Sequence, residues 1–280
     1  MTTSTLANHT ILMSGGSRGI GLAIAQRAAK DGANVALLAK TDEPDPRLEG
    51  TVHTAVTAIA EAGGRGLAIV GDVRNDADVA RAIDATLDQF GGLSIVVNNA
   101  SAIDLSPTSA ISMKKYDLMH DVNARGTFLL SKSAIPHLVA ARSQGTPAHI
   151  LTLSPPLNLD PAWFGAHLAY TVAKYAMSMM TIGLAEELRR HAINVNSLWP
   201  RTTIATAAVR NLVGGDTLMA MSRTPQIMAD AAHLVLTSAP GTLTGQFLID
   251  EDVLTRAGRV DFESYRAGPG TGPLMPDLFL

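Results

Sequence analysis

Thr10-Ile11-Leu12-Met13-Ser14-Gly15-Gly16-Ser17-Arg18-Gly19-Ile20-Gly21 decides the fold. A short β-prone run, Thr10–Ser14, enters a glycine turn, and the turn enters Ile20–Lys30, an apolar stretch with helical patterning. Gly15 and Gly16 permit a tight turn, and Gly19 lets backbone approach a ligand. Gly21 has no side chain to hold the helix off the strand. The start of such a helix offers unpaired N–H groups and the positive end of its dipole to an anion. Strand, glycine turn and helix in this order fit a dinucleotide pyrophosphate better than an ordinary turn. Ser14, Gly15, Ser17, Arg18, Gly19, Ile20 and Gly21 are therefore candidate cofactor residues.

Outward from this stretch, short β-prone runs alternate with helical patterns. Strands are predicted at Asn34–Ala39, Gly66–Gly71, Leu93–Val97, His149–Leu153, Ile193–Leu198 and Gly245–Ile249. Helices are predicted at Thr51–Ala62, Asp76–Phe90, Lys115–Arg142 and His167–Arg190, with another starting at Thr224-Pro225. A loop with Pro44 and Pro46 follows the second strand. The strands are apolar on both faces, the pattern of a parallel sheet covered on both sides by helices. The expected fold is α/β: a single Rossmann-type doubly wound domain, its seven-stranded sheet mostly parallel with helices on both faces. That domain is expected over residues 1–258, including a substrate-covering segment at 204–222. Residues 259–280 form a glycine- and proline-rich tail, with Gly268-Pro269-Gly270 and Gly272-Pro273, read as a loose end rather than an arm on a neighbouring subunit.

Composition narrows the partners. A hydrophobic fraction of 46% supports a sizeable core, and a net charge of −3 without basic runs argues against nucleic acid. The absence of cysteine excludes disulfides and thiolate chemistry, and the scattered histidines give no metal-ligand spacing. The polar start lacks a signal-peptide pattern and Lys174 interrupts the most apolar stretch, so a cytoplasmic protein without a membrane span is expected.

The second strand separates the two nicotinamide cofactors. An acid near its end binds the ribose 2′-hydroxyl of NAD. Here the strand ends Leu38-Ala39-Lys40, and Arg18 adds a second cation from the glycine loop. Two cations within reach of a 2′-phosphate favour NADP(H), although Asp42 and Glu43 follow closely enough to turn toward the ribose instead.

Tyr170 and Lys174 lie four residues apart within a long apolar segment, Leu168–Leu188, so a helix puts them on one face. A phenol beside an ammonium is expected to have a lowered pKa, as a proton donor or acceptor needs.

Together these motifs resemble the short-chain dehydrogenase/reductase family over roughly residues 8–250. The carriers are Ser14-Gly15-x-x-x-Gly19-Ile20-Gly21, Asp72-Val73, Asn98-Asn99-Ala100-Ser101, Asn123 and Tyr170-x-x-x-Lys174. Within the family the chain is most similar to the hydroxysteroid dehydrogenase-like protein 2 group, through Leu153-Ser154-Pro155-Pro156-Leu157-Asn158-Leu159, Trp199-Pro200-Arg201-Thr202 and Ala39-Lys40-Thr41. The carboxy-terminal sterol-carrier domain of some members of that group has no counterpart in this sequence.

The resemblance implies interconversion of a carbonyl and a secondary alcohol by hydride transfer. Tyr170 would pass the proton, Lys174 would hold the ribose hydroxyls, and Asn123 would hold a water linking Lys174 to solvent. Asp72 and Val73 would flank adenine. Asn98, Asn99, Ala100 and Ser101 would line the cofactor cleft, with Pro200, Ile204 and Thr206 near the nicotinamide. The family's helix corresponding to the Tyr170 segment packs on a second subunit, which implies a homodimer or homotetramer.

The departures concern the substrate oxygen. Family members usually carry a serine about thirteen residues before the tyrosine, where this chain has Leu157. Ser154 is the candidate replacement, followed by Pro155; Asn158 is the alternative. One lost donor of this kind costs ~10²–10³ in rate. A non-catalytic NADPH-binding protein acting through partners is therefore the competing reading. Arg201, in place of a usual glycine, either meets an anion or is a surface arginine. Trp163, Phe164, Leu212 and Met219 hint at an apolar, lipid-like substrate, although Trp163-Phe164 can equally be core or interface.

Overall fold

The computed structural model describes residues 5–45, 49–211, 215–269 and 271–280. Pro46, Leu212 and Gly270 lie outside the described residues. Seven strands form one sheet in the order β3-β2-β1-β4-β5-β6-β7. They are β1 Thr10–Ser14, β2 Asn34–Ala39, β3 Arg65–Val70, β4 Ile95–Asn98, β5 His149–Thr152, β6 Asn194–Trp199 and β7 Phe247–Ile249. Every pairing is parallel, a stricter result than the mostly parallel sheet expected. The order reverses direction between β1 and β4, which opens a crevice at their carboxyl ends.

Side-chain alternation explains the continuous apolar runs. Ile11, Met13, Val35, Leu37, Ile95 and Val97 point into a core shared with α1 (Gly19–Ala29), α2 (Val52–Glu61) and α9 (Gln226–Leu236). Their neighbours Leu12, Ala36, Leu38 and Val96 point the other way, toward α3 (Asp76–Phe90), α5 (Thr127–Ser143) and α6 (Pro161–Glu187). Both faces of the sheet are thus dry, so polar alternation is not required.

Two predicted helices differ in detail. Lys115–Arg142 is not continuous: α4 (Met113–Met119) passes through a π-helical turn, His120–Gly126, before α5 begins. α6 starts six residues ahead of its predicted start, at Pro161 with Asp160 as N-cap, but breaks at His167, whose backbone is not helical. The Tyr170 helix therefore restarts where the sequence put it, on a short preceding turn that the apolar loop hid. Short helices α7 (Ala207–Val209) and α8 (Gly215–Ala220) follow β6, and α10 (Asp250–Arg256) follows β7.

The tail is not loose. Thr203 N–H donates to Met275 O, Met275 N–H to Met221 O, and Asp277 N–H to Arg201 O. Phe279 has no exposed surface and ends in an aromatic cluster of Trp163, His167, Tyr170, Tyr175 and Trp199, with ring centroids 5.3–6.1 Å from its own. The composition of 259–273 suggested freedom, but Phe279 beyond it is fully buried and anchors the chain end, while Met275 and Leu280 stay exposed.

Candidate active site

The glycine loop is built for close approach. Gly15 has φ of 76°, a left-handed conformation that glycine adopts without strain. A Cβ on Gly21 would lie 2.5 Å from Asn99 Nδ2 and 2.7 Å from the Gly16 Cα, so only glycine lets α1 start this near β4. Arg18 occupies the N-cap without a side-chain cap bond, and the first turn has no acid. The α1 amino end therefore keeps its donors and dipole for an anion, and a dinucleotide pyrophosphate fits this cradle. Ser14 ties the loop to the end of β4: its hydroxyl accepts from the N–H groups of Asn99 and Ala100, and its carbonyl accepts from Asn99 Nδ2. Ser17 is buried at the same turn.

At the end of β2, Lys40 Nζ lies 3.2 Å from Asp72 Oδ2, and Arg74 grips the same carboxylate. The Arg74 hydrogen bonds, with Lys40 in support, hold the Asp72 pKa well below the ordinary carboxylate range. Arg18 donates to Gly50 O and to Oγ1 of Thr41, next in sequence to Lys40. Asp42 turns away to His53, 2.7 Å distant, rather than lining the β2 end. Val73 is buried under the adjoining turn, where its methyls face Gly126.

Asn98 departs from its expected place in the cleft: its amide donates to Ser131 and Thr152 beneath the sheet. Ser101 is exposed beyond it. Asn123 sits in the π turn with no exposed surface, where its amide accepts from Ala102 N–H and donates to Ala102 O. These two bonds fix the loop after β4 to the π turn.

On α6, Tyr170 and Lys174 are 4% and 3% exposed. Lys174 Nζ donates to Leu153 O at 2.8 Å and lies 5.1 Å from the Trp199 ring. Burial lowers its pKa to about 7, against the opposing charge of Asp277. The expected lowering of the Tyr170 pKa is not present. Burial raises it and Asp277 raises it further, while Lys174 one turn away is itself lowered to about 7 by burial.

Ser154 is also displaced from its expected role. Its hydroxyl pairs with Ser197 at 2.8 Å, and Ser197 pairs with Thr181 at 2.7 Å, a buried chain of hydroxyls between β5, β6 and α6. Pro155 and Pro156 then carry the loop away. Asn158, the alternative, is spent locally: its carbonyl accepts from Tyr175 and its amide from Asp160 N–H, with a 3.4 Å donor contact to Phe279 O.

Tyr170 opens instead onto a cavity of about 520 Å³. Ile20, Pro200, Ile204 and Thr206 form the wall next to the glycine loop, as expected. Leu218 and Met221 line it, whereas Met219 does not, and Trp163 and Phe164 pack behind it against Phe279 and Tyr175. Met275, Pro276, Asp277 and Leu278 from the tail form a further part of the wall that the sequence did not suggest, beside Ile103 and Leu105 from the loop after β4. The only signal was that Leu274–Leu280 is apolar apart from one acid. Arg201 pairs with Asp252 at the surface and is not part of this wall.

With this geometry in view, the chain belongs to the short-chain dehydrogenases: the family model described as short chain dehydrogenase matches residues 9–215. These are oxidoreductases that use nicotinamide cofactors. The hydroxysteroid dehydrogenase-like protein 2 of Danio rerio is 50% identical over 99% of this chain, which spans only 65% of that protein's length. A short chain dehydrogenase from Mycobacterium thermoresistibile is 51% identical, with TM-score 0.91, covering 98% of this chain and 95% of its own. More distant solved structures, an NADH-dependent reductase complexed with NAD at 28% identity and a metagenomic short-chain oxidoreductase in complex with NADP at 25%, show that the family likeness does not select between the two.

Proposed function

We propose that the chain is an NADP(H)-dependent oxidoreductase that interconverts a carbonyl and a secondary alcohol on an apolar, lipid-like substrate. The observation that carries the reading is the position of Tyr170: its hydroxyl has no hydrogen-bond partner among the described residues, and the residue lines an apolar cavity whose far wall adjoins the glycine loop. Bound between the loop and Pro200, a nicotinamide would give or take the hydride. Tyr170 moves the proton at the substrate oxygen, and its high pKa keeps it protonated for the reductive direction. Lys174, titrating near neutrality, is suited to return that proton to Tyr170 as well as to hold ribose hydroxyls. Asn123 supports both by fixing Ala102. The preference for NADP(H) rests on Lys40 at the end of β2, Arg18 bonded to the adjacent Thr41, and Ala39 where an NAD enzyme places an acid.

The apolar side chains exposed on α5 and α6, namely Phe128, Val172, Met179 and Ile182, support a homodimer or homotetramer through this face.

Fluorescence titration with NADPH and NADH tests the cofactor reading. NADPH is expected to bind more tightly, and equal affinities overturn it. One observation favours the competing role as a non-catalytic NADPH-binding protein: the Ser154 hydroxyl is turned into the core. Tyr170→Phe separates the two, since an enzyme loses turnover and keeps NADPH, whereas a binding protein keeps its partner function.

A further inference from the structure

The cavity contains few groups able to hold a substrate oxygen. Thr203 is paired with Ser222 at 2.7 Å, Thr206 caps α7, Trp199 Nε1 donates to Leu278 O, and Thr217 stands on the exposed surface of α8. Thr206 accepts from Val209 N–H and keeps its hydroxyl proton, and Thr217 also lines the cavity; of the polar lining groups, Tyr170 and Asp277 are the two that act on each other electrostatically. Asp277 is half-buried, lines the same cavity, and acts electrostatically on both Tyr170 and Lys174. Its position is fixed from three sides: its N–H donates to Arg201 O, its Oδ1 accepts from Leu278 N–H, and Phe279 is anchored in the aromatic cluster just beyond. Its Oδ2 has no hydrogen-bond partner among the described residues.

We propose that Asp277 is the second catalytic group at the reacting oxygen, donating a hydrogen bond from its neutral carboxyl to the substrate carbonyl that Tyr170 protonates. The inference rests on the carbonyl/alcohol reading of Tyr170. It fills the function left open by Leu157, Pro155 and the inward-turned Ser154. The proton that ends on the substrate oxygen comes from Tyr170, and Asp277 keeps its own. The hydrogen bond strengthens as negative charge develops on that oxygen, so it stabilises the transition state more than the ketone.

The surroundings favour the neutral acid. Burial raises the Asp277 pKa to about 7, and the nearby Asp250 on α10 pushes in the same direction, while Leu278 N–H and Lys174 oppose. Asp250 is itself buried, with its pKa raised to about 6, and its partners are the N–H groups of Arg201 and Glu251. From α6 the groups facing Asp277 are Tyr170 and Lys174. His167 lies against Phe279, and Arg223 pairs with Glu251 rather than with Asp277. Raising pH through about 7 therefore removes the donor.

The test uses the full chain, NADPH, and a series of long-chain methyl ketones as probe substrates. Asp277→Ala is expected to lose ~10²-fold in kcat/KM. Asp277→Asn, which retains an N–H donor on the same skeleton, is expected to recover most of that loss and to keep its rate above the pH where the unmodified chain declines. NADPH affinity is expected to be unchanged in both. Equal rates in all three proteins overturn the proposal, as does Asn behaving like Ala. If the unmodified chain reduces no ketone, the carbonyl reading fails first, and Tyr170 then reports on Asp277 directly. Spectroscopic titration of its phenol, isolated by difference from Tyr170→Phe, is expected to show a lower pKa in Asp277→Ala. No shift would mean that Asp277 does not face Tyr170.

Discussion

The two ends of the cleft are built in opposite ways. At the cofactor end, binding groups come from the backbone of one short stretch, Ser14–Gly21, and Gly15, Gly16 and Gly21 make room where a Cβ would collide. At the substrate end the groups are side chains brought from distant parts of the chain: Tyr170 from α6, Ile204 and Met221 after β6, and Asp277 from the tail. The first arrangement is local and tolerates almost no change of shape. The second depends on long-range packing around Phe279, so its chemistry can change one side chain at a time while the cofactor end stays fixed.

The strongest way to break this comparison is at Tyr170. Tyr170→Phe is expected to lower turnover ~10²–10⁴-fold, with NADPH affinity retained. Steady-state kinetics beside a fluorescence titration measures both, and a parallel loss of affinity would mean that the two ends are not separable. Gly21→Val should do the converse. Its Cβ alone would sit 2.5 Å from Asn99 Nδ2, so cofactor binding is expected to fall below detection. Binding within a few-fold of the original would refute the close-approach argument.

Phe279→Ala asks whether the tail is part of the fold. Removing a fully buried phenylalanine costs ~3–5 kcal/mol, and thermal unfolding should show it. A variant as stable as the parent would return residues 274–280 to the status of a loose end. Lys40→Asp sharpens the cofactor end, and roughly ten-fold or more of any preference for NADPH over NADH should disappear, since losing one charge contact is worth about 1–4 kcal/mol. Comparison of the two dissociation constants decides it.

The smallest effect concerns stability and pH. Asp277 has a folded pKa near 7 against an ordinary 3.8, so the folded state holds an extra proton between those values, and stability falls as pH rises through that window. Asp277→Asn should therefore raise the melting temperature little at pH 4 and most above pH 7. Lys174 has the opposite sign: its folded pKa near 7 lies below 10.5, so stability falls as pH drops from 10.5 toward 7, and Lys174→Met should stabilise most at the acidic side. Flat differences across pH would contradict both buried positions.

The same contrast explains what the sequence made legible. The glycine loop, the parallel strands and the Tyr170–Lys174 pair carry their geometry in local spacing, and each appears where it was expected. Ser154 has the right residue type near the right place, but its direction depends on Ser197 and Thr181, which lie on other elements. The Tyr170 pKa followed burial, a property of the whole fold, rather than its neighbour one turn away. The tail was misjudged because glycine and proline counts describe the chain before Pro273, whereas the residues that matter follow it.

The central claim, that Tyr170 works in an apolar cavity served by a separate cofactor cradle, is tested most directly by NADPH-dependent ketone reduction in the unmodified chain and in Tyr170→Phe. The account predicts turnover in the first, near-complete loss in the second, and equal NADPH affinity in both. Tight NADPH binding with no turnover on any ketone, or turnover untouched by Tyr170→Phe, would contradict it.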